Sequence, residues 1–155
     1  MKTVEEQVRE YLKAHNVLQL ATASSDGQPW VCNVHYYSDD GLNIYWISTP
    51  DRRHSLEIAA NPKVAAVIKV HENTPEEDYV IGVSVEGTAE LLGTSVLPEI
   101  IDAYCKKQSK KPETQADLHA DKAPFKFYKF TPISFVVFNT KDFKGDPRRE
   151  WKLGE

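Results

Sequence analysis

Apolar residues change their spacing several times along this chain, and each change marks a new element. Val8, Tyr11 and Leu12 recur at helical spacing behind Thr3-x-x-Glu6, a reciprocal capping signature, which predicts an amphipathic helix over about residues 3–15. From Val17 the period drops to two. Residues 17–23 and 29–37 read as strands, separated by Ser24, Ser25, Asp26 and Gly27, whose Asp-Gly step permits a tight hairpin. A second Asp-Gly step at Asp40 and Gly41 leads into residues 42–48, so the pattern predicts a three-stranded meander. Residues 63–71 are apolar on both faces, as expected of a central strand. Residues 79–92 put Tyr79, Ile81, Val83 and Val85 on one face and Gly82, Ser84 and Glu86 on the other, with Gly87 marking a bend or bulge.

Helical spacing returns at Leu97, Ile100, Ile101, Tyr104 and Cys105, predicting a helix over about residues 95–108 with Lys106, Lys107, Lys110 and Lys111 gathered at its C-terminal end, where they suit the macrodipole. Residues 112–123 read as a polar loop or short helical turn. Two further strands, 125–130 and 133–140, flank Thr131 and Pro132, and the tail carries turn chemistry from Gly145 to Pro147. A short helix over about residues 51–60 follows the third strand. About six strands with short connections and two inserted helices predict a mainly β fold: an antiparallel Greek-key barrel with peripheral helices, one domain across residues 1–155.

Composition narrows the function classes. The formal charge of -4 argues against general affinity for nucleic acid. No run of about 18 apolar residues and no secretory h-region is visible, so a soluble cytoplasmic protein with no membrane association is expected. Cys32 and Cys105 lie far apart and form neither a CxxC pair nor a framework, and both read as reduced thiols. The 5 histidines show no metal-ligand spacing, so no metal site is expected. Sequence signatures of serine hydrolases, P-loop NTPases and Rossmann dehydrogenases are absent.

Candidate chemistry concentrates in residues 44–62. An apolar strand reaches the hydroxyls of Ser48 and Thr49, turns at Pro50 and enters a helix with Arg52, Arg53 and His54 in its first turn. Helices favour acidic residues there, so three basic side chains at the positive end suit an anion such as phosphate; a solvated helix end paired with Asp51 and Glu57 is the alternative. Thr49 is also the expected helix cap if Pro50 takes the first helical position. On residues 29–37 one face carries Trp30, Cys32, Val34 and Tyr36. The other carries Val31, Asn33, His35 and Tyr37, aromatic and polar at once. Such a face lines a pocket, meets another subunit, or stays hydrated.

Four segments in order, D-G-Q-P-W-V-C-N-V at 26–34, I-Y-W-I-S-T at 44–49, R-R-H-S-L-E-I-A-A-N-P-K-V-A at 52–65 and V-E-G-T-A-E-L at 85–91, resemble the pyridoxamine 5'-phosphate oxidase-like FMN-binding split-barrel family, chiefly over residues 17–92. The resemblance implies a six-stranded split barrel and a homodimer holding FMN in clefts between subunits. It places the family's basic pair on Arg53 and His54, flanked by Arg52, with histidine where the family's namesake oxidase has lysine. Ser48 and Thr49 would join them at the phosphate. Ile47 and the stretch Val31, Cys32, Asn33 and Val34 would address the flavin ring. His35 and Tyr36 would fall on the substrate side or the dimer seam. Gly82 stands where the namesake oxidase has a flavin-contacting glutamine, and its long substrate-binding C-terminal segment is not evident, so pyridoxine biosynthesis is not implied. The chain is closer to smaller members ending in a tryptophan, here Trp151, which covers the cofactor or anchors the tail. The implied function is an FMN-dependent oxidoreductase acting on an unidentified small molecule, with no residue marked as catalytic acid or base. The alternatives are a flavin- or haem-binding, non-catalytic barrel with His35, His54 or His71 as axial ligand, and a structural barrel with a decayed site.

Overall fold

A computed structural model, which describes residues 1–154, gives the order α1 (Val4–Ala14), β1 (Val17–Ala23), β2 (Pro29–His35), β3 (Tyr37–Ser38), β4 (Ile44–Ser48), α2 (Arg53–Ala60), β5 (Lys63–His71), β6 (Ile81–Leu91), α3 (Pro98–Lys107), α4 (Pro112–His119), β7 (Lys126–Asn139) and β8 (Arg148–Lys152). The strands form one antiparallel sheet in the order β2-β1-β5-β6-β7-β4-β3, with β8 also on β7. The sheet curls around a core into which Leu18, Leu20, Val34, Ile44, Trp46, Val64, Ile68, Val83, Val85, Phe130 and Phe135 project. Alternation makes this possible: on β5 and β6 every second residue is buried, so the same side of each strand lines the interior. A smaller core lies on the other side of β4, where Tyr45, Phe127 and Ile47 meet Ile100, Ile101, Tyr104 and Cys105 of α3. The fold is the mainly β split barrel expected, with eight strands where the sequence predicts about six: the runs at 125–130 and 133–140 are one strand, and β3 and the tail strand β8 are added. No helix among the described residues is long and apolar enough to cross a membrane.

α1 begins as its sequence dictates. Thr3 Oγ1 accepts from the Glu6 amide at 3.1 Å and Glu6 Oε2 accepts from the Thr3 amide at 2.7 Å, completing the capping box. The helix closes one end of the barrel with Val8 and Leu12 fully buried.

The three-stranded meander is not what forms. β1 and β2 make the expected hairpin, but β2 does not pair with β4; β3 and β4 hairpin at the opposite end of the sheet. Tyr36 explains the break. Its amide donates to Asn16 O at 3.1 Å, its carbonyl accepts from Gln108 Nε2 at 2.8 Å, and its hydroxyl donates to Leu12 O at 2.8 Å. The amide bond carries the β1–β2 register one pair further, and the Gln108 side chain then takes the carbonyl in place of a backbone partner, so the ladder ends there. Tyr36 is wholly buried, with Lys107 Nζ 3.9 Å from its ring centre, which removes it from the substrate side and from any subunit seam.

The two strands expected on either side of Thr131 and Pro132 are one strand of 14 residues. Pro132 is accommodated because the β6–β7 register shifts between Glu86 and Gly87 opposite it. Gly87 is required there: a Cβ on it would lie 2.1 Å from Thr131 O and 2.9 Å from the Phe130 ring. The segment around 112–119 is a two-turn helix, with Leu118 as its buried anchor.

Candidate functional site

The loop after β4 delays α2, expected from about residue 51, to Arg53. The Arg52 amide donates to Thr49 O at 3.2 Å, closing a turn through Pro50 and Asp51, so Arg52 occupies the N-cap position and its side chain makes no capping bond. Thr49 is therefore not the helix cap. Its buried hydroxyl meets no partner at full hydrogen-bond geometry and lies beside Asp51, whose carboxyl it helps to hold below the ordinary carboxylate range. α2 opens with Arg52, Arg53 and His54 and carries no acidic residue in its first turn, leaving its uncapped amide groups facing positive charge.

The three basic side chains part company. Arg53 Nε donates to Glu57 Oε2 at 3.2 Å while the guanidinium carbon sits 4.1 Å from the centre of the Trp30 ring on β2. Glu57 is buried and also accepts from Thr22 Oγ1 on β1 at 2.6 Å, so this carboxylate ties α2 to the sheet. His54 turns toward β4, its Nε2 2.9 Å from Ser48 Oγ, and Ser55 Oγ donates to the same Ser48 oxygen at 3.5 Å. Burial holds the His54 imidazole below the ordinary histidine range, Arg52 pushes it the same way and Glu57 opposes them. Among the described residues the Arg52 side chain has no hydrogen bond or ion pair, so it is the uncommitted cation of the three.

The strand residues expected at a flavin ring divide by face. Val31 and Asn33 project outward from β2, Val31 largely exposed and Asn33 Oδ1 accepting from Gln19 Nε2 at 2.8 Å. Cys32 and Val34 point inward; Val34 is part of the core, and burial raises the half-buried Cys32 thiol, with Glu57 adding to the shift. Ile47 is partly buried against the α3 core. Trp151 pairs with Phe135 across β7–β8, stacks on that ring at 5.9 Å and packs on the main core, which is the tail-anchoring arrangement.

What sequence reading missed is the outer face of the sheet. Ala21, Val31, Ala65, Val67 and Val136 line a hollow of about 420 Å³ rimmed by Gln19, Glu86, Arg148 and Glu150. The signal was in β5: its second apolar face, read as the mark of a buried central strand, is open, with Val67 exposed although β5 is central in the sheet.

The three histidines considered as axial ligands also differ. His54 is engaged by Ser48. His71 Nδ1 lies 2.8 Å from Tyr79 O and its Nε2 3.3 Å from Glu77. His35 is exposed on β2, without a hydrogen bond among the described residues.

Comparison with known proteins agrees with this architecture. A family model described as pyridoxamine 5'-phosphate oxidase matches residues 4–135. Among curated proteins the sequence has no match. Among solved structures, the chain is similar to an FAD-binding protein from Mesorhizobium loti (21% identity, TM-score 0.61, covering 97% of this chain and 96% of that one). It is also similar to a haem-binding protein from Mycobacterium smegmatis (17%, 0.72, covering 98% of this chain but 59% of that one). A third is a Clostridium acetobutylicum protein related to a general stress protein (12%, 0.65, covering 95% and 92%). At these identities the likeness is one of fold.

Proposed function

This chain belongs to the pyridoxamine 5'-phosphate oxidase family, and from that premise we propose that it is a cytoplasmic FMN-binding protein, an oxidoreductase that acts on a small molecule as a homodimer. The observation that carries the reading is the start of α2, where Ser48, Thr49, Arg52, Arg53 and His54 gather at an uncapped helix end next to a buried hydroxyl without a well-formed bond. A phosphate fits that donor set: charge-assisted bonds from Arg52 and from the free edge of Arg53, with hydroxyl and amide donors beside them. Flavin, when bound, supplies the acceptance and release of hydride or electrons. The chain's own residues anchor the phosphate, present Val31 and the edge of Asn33 on the sheet surface, and exclude water from that surface.

The second subunit is supported by the open outer face. Apolar side chains from four strands, Ala21, Val31, Val67 and Val136 among them, form one continuous hollow, and a surface of that kind on a soluble chain marks a contact site. A second copy presenting the same strands would cover it and bring each copy's ring-facing residues to the seam.

Absorbance of the purified protein, followed by titration with FMN, tests the proposal. Bands of oxidised flavin at one equivalent per protomer are expected, with bleaching under NADH, NADPH or a chemical reductant. A protein that holds no FMN at any concentration, or one whose bound flavin stays oxidised under all three donors, overturns the binding and the enzyme readings respectively. A haem-binding reading rests on His35, the outward-facing imidazole without a hydrogen bond among the described residues, and predicts a Soret band that His35→Ala abolishes.

A further inference from the structure

The charges around the proposed phosphate site do not balance, and the imbalance identifies what His54 does. Arg53 is offset by Glu57, its partner at 3.2 Å. Arg52 supplies one uncommitted positive charge, and Asp51, exposed on the turn, subtracts from it. A phosphomonoester above about pH 7 is a dianion, its second ionisation lying near 6. With a neutral imidazole the site falls at least one positive charge short of its ligand.

The Ser48 bond fixes what the ring can offer. Ser48 Oγ lies 3.5 Å from both the Thr49 carbonyl and Ser55 Oγ, long contacts beside the 2.9 Å to His54 Nε2. No side chain among the described residues engages Nδ1. A neutral imidazole carries a single N–H, and only the charged ring donates from both nitrogens and brings a positive charge to an anion. Ser48 holds the ring in place, and Nδ1 is left as the edge that can face a ligand.

We propose that the His54 ring takes up one proton as a phosphomonoester docks, making the site selective for the phosphorylated form of its ligand and progressively weaker as pH rises. The inference rests on the flavin reading of the same site. The charged groups that act on the ring are Arg52, which disfavours the proton, and Glu57, which favours it; no charged group of β1, β2 or β6, which pack on α2, or of β4, which supplies Ser48, joins them among the described residues. Burial keeps the ring neutral until the anion arrives, so the proton comes with the ligand. Lysine at this position would carry its charge throughout, and the histidine makes affinity conditional.

The experiment is the pH profile of binding between about pH 7 and 9, where the phosphate no longer titrates. FMN affinity is expected to fall with a slope approaching tenfold per pH unit, the limit for one linked proton, while riboflavin, which lacks the phosphate, binds with a flat profile. His54→Lys should bind FMN with a flat profile, and His54→Gln should bind it weakly with little distinction from riboflavin. The ring carbon signals of His54 in NMR, identified by their loss in His54→Gln, report the proton directly: their midpoint should rise in the FMN complex. FMN that binds with a flat profile and leaves the His54 midpoint unmoved overturns the inference and spares the flavin reading. If FMN does not bind, inorganic phosphate is the probe: a raised His54 midpoint sustains the inference while the flavin reading falls, and an unmoved midpoint overturns both.

Discussion

Arg53 donates from Nε to the buried carboxylate of Glu57 at 3.2 Å, so the arginine expected to lead at the phosphate is also the counter-charge of a structural acid. The pair joins α2 to β1 through Thr22 and to β2 through the Trp30 ring. A single substitution here acts on two properties at once.

Arg53→Ala is expected to lower unfolding free energy by about 1–2 kcal/mol, since Glu57 keeps only its Thr22 bond, and to weaken FMN binding by about 1.5–3 kcal/mol, the range for bonds to a charged group. Arg53→Ala combined with Glu57→Gln separates the two effects. Denaturant titration should show stability largely regained, while flavin titration should show affinity still lost. Unchanged FMN affinity in the single variant removes Arg53 from the phosphate.

The ligand-free protein should lose stability as pH falls through His54's range. Its folded-state pKa lies below the ordinary 6.5, so between the two values the unfolded chain binds the extra proton. The penalty is absent above 6.5, accumulates as pH drops toward the folded-state value and is constant below it. His15 has the same sign because burial and Lys107 lower it too. The difference between wild type and His54→Gln isolates His54: in denaturant titrations at about pH 7.5 and about pH 5, wild type should lose more stability than the variant.

Val67→Asp puts a charge at the centre of the outer hollow without touching the core, because Val67 faces away from Ile68 and Ala66. A folded monomer with impaired FMN retention is expected by light scattering coupled to gel filtration, against a dimer for wild type. A wild-type monomer at micromolar concentration refutes the homodimer.

Gly87→Ala should cost stability at the upper end of the ~1–3 kcal/mol range for overpacking, because the contacts it makes are with the backbone of Thr131 and Pro132 rather than with a side chain that can move aside. Gly82→Ala is the comparison: its Cβ would meet only Ile68 O at 3.6 Å, an ordinary contact, and it should be tolerated. Equal melting temperatures for the two would contradict the close approach at Gly87.

The sequence by itself determined what depends on neighbours along the chain. The capping box at Thr3 and Glu6 placed α1, alternation placed β6 with Ile81, Val83 and Val85 on one face, which is the buried one, and helical spacing placed Ile100, Ile101, Tyr104 and Cys105 on the buried side of α3. Gly87 was legible as a bulge because a glycine within an alternating strand implies close backbone approach. The concentration of hydroxyls and cations around residues 48–54 was legible for the same reason. Tertiary structure decided what depends on distant partners. The ladder ends at Tyr36 because Gln108 takes its carbonyl while Leu12 holds its hydroxyl, two partners that no local pattern announces. Thr49 loses the cap to a turn closed by Arg52. Arg53 and His54, adjacent in sequence, diverge because Glu57 with Trp30 claims one and Ser48 the other. The second apolar face of β5 looked like burial within one chain and is an open surface, since alternation records that a face is apolar and only the fold shows what covers it.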